Sequence, residues 1–105
     1  MKYLKWILFC AWWQTHKRYE FTFHTTDDNP FEIGITCPNN PNMVIRVTVE
    51  MLQRMKTEDV VLKRFLQQLE EVFRIRSYGF VEEVFESVRL EWQLPLYQAF
   101  LKEIE

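Results

Sequence analysis

The stretch Thr57 to Arg74 constrains the fold more than any other. Val61, Leu62, Phe65, Leu66, Leu69, Val72 and Phe73 recur at steps of three, four and one. At 100° per residue these fall on one helical face. Lys63, Arg64, Gln67, Glu70, Glu71 and Arg74 fill the other. Thr57 stands where an N-cap is needed, since its hydroxyl can accept from an unpaired first-turn N–H. Glu58 and Asp59 follow and suit the positive end of the helix dipole. The capping box is incomplete, because its fourth position is Val60. Glu70 and Arg74 form an i, i+4 pair of minor value. The apolar face is wide and carries two Phe, so a sheet or other helices must cover it.

A chain of 105 residues is expected to form one α+β domain spanning 1–105. Nine Phe and four Trp exclude a disordered chain. Net charge is −2, which argues against broad nucleic-acid binding. Cys10 and Cys37 are too few for a disulfide scaffold and read as two reduced thiols in a cytoplasmic protein. The apolar run Trp6 to Trp13 follows Lys2 and Lys5, but no small-x-small cleavage site comes after it. It is also too short to span a bilayer. It is therefore read as structure rather than as a secretory signal, and no membrane association is expected.

From Tyr3 to Trp13 both alternating sets of residues are apolar, which predicts a central strand covered on both sides. Gln14 to Arg18 predicts a turn. Tyr19, Phe21 and Phe23 alternate with Glu20, Thr22 and His24, as in a half-buried antiparallel strand. Asp27-Asp28-Asn29-Pro30 predicts a turn. Phe31, Ile33 and Ile35 predict a third strand, Cys37 to Asn42 a loop, and Met43 to Val49 a fourth strand. Thr48 or Val49 then opens a short helix, Glu50 to Met55.

Ser77-Tyr78-Gly79 predicts a stop after the long helix. Phe80, Val81, Val84 and Phe85 predict a short second helix. Beyond Val88 a continued helix would place Leu90 and Leu94 opposite the apolar face, whereas a strand puts Val88, Leu90, Trp92 and Leu94 together, so the pattern favours one more strand over the helix. Pro95 opens a last helix whose apolar face is Leu96, Tyr97, Phe100, Leu101 and Ile104. The expected fold is α+β, a mainly antiparallel four- to five-stranded sheet with two or three helices packed on one face.

Chemistry-bearing constellations are weak. His16, Lys17, Arg18 and His24 could serve acid–base cleavage of RNA, but no positioned partner is visible. A solvated turn and an exposed strand His explain them as well. Cys10, His16, His24 and Cys37 match no compact metal-ligand spacing. Gly34 and Gly79 are the only glycines, so a Gly-rich phosphate loop cannot form, and no cofactor is expected. Trp6, Trp12 and Trp13 suit core packing better than base stacking or partner anchoring.

Charge is asymmetric. Residues 1–57 hold seven Lys or Arg and five Asp or Glu, a balance of +2; residues 58–105 hold six and ten, a balance of −4. Glu82, Glu83 and Glu86 share one face of the second helix, with Glu70 and Glu71 just upstream. The ordinary reading is a solvated face. The functional reading makes these five residues a surface that steers a basic protein partner.

Size, acidity and the lack of catalytic chemistry point to a small cytosolic protein-binding inhibitor, monomeric or homodimeric. The leading form is an immunity protein that neutralises a nuclease-type bacterial toxin. A phage-encoded inhibitor of a host defence protein would carry the same features. An enzyme using His16 and His24, or an oligomeric adaptor with exposed aromatics or a sheet edge, are the other classes.

Overall fold

A computed structural model describes residues 2–25, 28–90 and 95–104. The chain order is α1 (Lys2–Gln14), β1 (Thr22–Thr25), β2 (Glu32–Thr36), β3 (Val44–Thr48), α2 (Val49–Met55), α3 (Asp59–Val72), α4 (Phe80–Arg89) and α5 (Pro95–Ile104). The strands form an antiparallel sheet in the order β1-β2-β3, with Phe23 opposite Ile35 and Ile35 opposite Ile45. Ile33, Ile35, Ile45 and Val47 are buried on one face of it. The other face carries Thr22, His24, Glu32, Thr36, Arg46 and Thr48. There Thr22 and Thr36 share a hydrogen bond of 2.8 Å, and Arg46 lies 3.4 Å from Glu32.

The α+β class and the antiparallel pairing are as expected; the element count is not. Among the described residues the sheet has three strands, not four or five, and there are five helices, not two or three. The main error lies at the start. Tyr3 to Trp13 is helical, and Leu4, Trp6, Ile7, Leu8, Cys10 and Ala11 of α1 are buried. A run apolar in both alternating sets is equally a helix buried nearly all round. Its eleven-residue length fits a helix better than a strand.

The predicted strand from Val88 is also absent in its described part. α4 runs on to Arg89, with Leu90 as its C-cap, and places Val88 in the core one turn beyond Val84. Residues 91–94 of that prediction lie outside the described residues, as does Asp27 of the predicted turn. The rest of that turn forms, with the Asn29 carboxamide oxygen accepting from the Phe31 N–H at 3.1 Å.

α3 starts later than expected. Its N-cap is Glu58, which makes no side-chain cap bond, and Thr57 closes the turn after α2 by donating its N–H to the Arg54 carbonyl. The Glu58 carboxylate is instead held by the Arg54 guanidinium at 2.8 Å. Thr48 does cap α2, accepting from the Met51 N–H at 3.0 Å. The expected face of α3 is the one that packs: Leu62, Phe65, Leu66 and Leu69 are fully buried. One core joins α1, the inner sheet face, α3, α4 and α5. Trp6 sits within it, donating from Nε1 to the Val88 carbonyl at 3.1 Å and meeting Tyr97 and Phe100 edge-on.

Candidate interaction surface

α4 follows from its pattern. Phe80, Val84 and Val88 recur every four residues and are buried. Gly79, at φ 69°, occupies the left-handed region that opens the helix, where a side chain would be strained. Glu82 and Glu83 lie in the first turn, where the helix dipole favours anions. Glu82, Glu83 and Glu86 are all exposed on the side away from the core.

Two of these carboxylates have partners. Glu82 lies 3.6 Å from the Lys63 ammonium on α3, and Glu83 accepts a hydrogen bond from Gln14 at the end of α1. The other two predicted residues sit apart. Glu71 is exposed in a shallow depression with Asn39, Asn42, Met43 and Arg74, beside the β2–β3 loop. Glu70 is half-buried near the end of α3. The acidic surface is therefore a ridge on α4, and Glu71 faces other neighbours.

The residues of the candidate catalytic group lie on two different segments. His16 lies in the turn after α1, whereas His24 is on β1 with its ring against Gly34, whose added Cβ would come within 3.2 Å of Nε2. No hydrogen bond joins the two histidines among the described residues. Cys10 and Cys37 are buried and not joined by a disulfide. Burial pushes the Cys37 thiol up, against lowering hydrogen bonds from Asn39 and Asn40. Among the described residues no three His, Cys, Asp or Glu are placed to hold a metal. No helix there is long and apolar enough to cross a membrane.

A feature that sequence reasoning missed lies beside the ridge. Arg18, in the turn after α1, donates to the Thr15 carbonyl at 3.1 Å and to the Arg76 carbonyl, in the α3–α4 loop, at 3.5 Å. Lys17 sits over the rings of Trp12 and Trp13, 5.4 and 5.3 Å from their centroids. Lys17, Arg18 and Arg76 are all exposed. Tyr78 in the same loop is 100% exposed and Trp13 is 45% exposed. No local pattern links residues 17–18 to 76–78; only tertiary packing does.

Of the three Trp residues expected to pack in the core, Trp6 does so, Trp12 is half-buried and Trp13 is exposed. Trp12 also lines an apolar cavity of about 320 Å³ between α1 and β1, with Leu8, Phe9, Phe21, Phe23 and Phe100. No family model matches the sequence, and no similar curated protein or solved structure is found. The surface itself therefore carries the functional reading.

Proposed function

We propose that this protein is a small inhibitor that acts by binding another protein, and that its acidic α4 ridge steers a basic partner. The observation that carries this reading is the exposure of Glu82, Glu83 and Glu86 on the outer side of a helix whose inner side is core. An immunity protein bound to a nuclease-type toxin is the form that suits it best, because such a toxin's active-site cleft must be basic to hold phosphates. Glu71 joins the binding surface only if the partner also reaches the β2–β3 loop.

The test is co-expression with the product of the adjacent reading frame. A stable complex by gel filtration, together with loss of that product's toxicity, is the expected outcome. A basic toxin domain that neither co-elutes nor loses activity would overturn the immunity reading. A phage early gene as neighbour would move the same binding surface to inhibition of a host defence protein.

A further inference from the structure

The α4 ridge ends where the basic loops begin. Glu83 is hydrogen-bonded to Gln14, three residues before Lys17, and Arg18 reaches the Arg76 carbonyl just ahead of α4. The turn holding the exposed Lys17 and Arg18 thus lies beside the start of α4, which follows the exposed Arg76 and Tyr78 and carries Glu82, Glu83 and Glu86. We propose that this face is an interface between two copies of the chain, in which the basic loops of each copy receive the α4 ridge of the other.

The charge order selects the occupant. A bilayer or a nucleic acid presents anions throughout, and the ridge would repel it. A face with the two signs side by side is complementary to itself after a two-fold rotation, which is the isologous arrangement of most dimers. The net charge of −2 leaves little overall repulsion between copies. Each exposed ion pair is weak in isolation, so the face also needs an anchor. Tyr78 supplies it between the two charged zones, and Tyr and Arg are the residue types that dominate interface energetics. Lys17 is presented in a fixed position, since its N–H closes the end of α1 on the Trp12 carbonyl at 2.9 Å and its ammonium rests on two indole rings.

This interface would cover the ridge, so the basic partner proposed above would compete with the second copy. The experiment needs only the protein itself, which keeps the two readings separable. Sedimentation equilibrium from micromolar to submillimolar concentration should show a dimer that weakens as salt is raised. The reversals Arg18→Glu with Arg76→Glu, and Glu82→Lys with Glu86→Lys, should each weaken dimerisation by at least about tenfold. Mixing the two reversed proteins should restore a mixed dimer, because each then meets its opposite. Arg76→Glu alone, at an exposed side chain with no hydrogen bond or ion pair among the described residues, guards against loss of fold in the first pair.

A wild-type chain that is monomeric throughout, or a mixture that fails to recover the dimer, would overturn the proposal. So would a monomer that binds an oligothymidylate or anionic phosphatidylserine vesicles through Arg18 and Arg76. A monomer that still inhibits a basic partner would leave the inhibitor reading standing alone.

Discussion

Arg89 shows what one side chain does in this fold. Its guanidinium is 2.8 Å from Asp59 on α3 and donates to the Met55 carbonyl at 2.9 Å and the Tyr3 hydroxyl at 2.9 Å. It thereby ties α1, the end of α2, α3 and α4 together, with its own plane over Phe85. The side chain is only 24% exposed, so these bonds are partly shielded from water. Arg89→Ala should cost about 1.5–3 kcal/mol, the range for losing hydrogen bonds to a charged group. Arg89→Lys should recover less than half, since a point charge cannot reproduce the planar fork. Denaturant midpoints of the two variants check this; a Lys variant with the wild-type midpoint would show that only the charge matters. Cys37 gives a residue-scale pH prediction. Its folded thiol titrates above its ordinary value, so the associated stability is present below the unfolded thiol value and is lost as pH rises through the folded one. Labelling by a neutral thiol reagent, located by mass spectrometry, should stay slow through pH 8. A rate matching the unfolded chain there would refute shielding by burial.

The elements differ in how much of them could be read from sequence, and helix ends explain most of the difference. The strands were visible because Ile33, Ile35, Ile45 and Val47 alternate with outward residues, and β-periodicity needs only local pattern. α3 and α4 were visible because their apolar residues occupy one stripe. α1 was not, because it is apolar on nearly every side and lacks a glycine stop. It ends with His16 at φ 57°, whose N–H donates to the Trp13 carbonyl while that of Lys17 donates to Trp12. That is a Schellman closure made without glycine. α3 ends similarly: Arg74 has φ 54°, and the Ile75 N–H reaches back to the Glu70 carbonyl at 2.9 Å. The Asn40 carboxamide further caps the Phe73 carbonyl at 2.6 Å. The candidate surface was half legible for the same reason. Its acidic half lies on one periodic helix, whereas its basic half is assembled from two loops. Arg74→Gly should raise stability by about 0.5–1 kcal/mol, the left-handed strain of an L-residue less the added chain entropy of glycine. Gly79→Ala should lower it by about 1 kcal/mol despite open space around the added carbon, because its φ of 69° is the obstacle. Thermal unfolding of both variants checks the signs, and a shift in the same direction for both would refute the argument.

At the scale of the molecule the decisive feature is polarity of charge rather than its total. The C-terminal half carries −4 and displays three of those carboxylates on one helix. Long-range attraction from such a ridge accelerates encounter with a basic partner, and salt screens it over about 8–10 Å at ordinary ionic strength. Rim charges act mainly on association, whereas buried charge pairs also control dissociation. Glu82 is offset in part by Lys63, whereas Glu83 has only the neutral Gln14 as partner, so Glu83 and Glu86 carry most of the ridge's outward field. Reversing Glu82, Glu83 and Glu86 to Lys should slow association and flatten its dependence on salt. Dissociation should change less. The fold should survive, since these side chains lie outside the core and each dipole contact in the first turn is worth about 0.3–1 kcal/mol. Stopped-flow binding to the partner at low and high salt is the measurement, with circular dichroism as the control for folding. A folded triple variant that keeps the wild-type association rate and salt slope would mean the ridge is only solvated. Recognition would then have to run through the exposed Trp13 and Tyr78, and Trp13→Ala or Tyr78→Ala would weaken binding in its place.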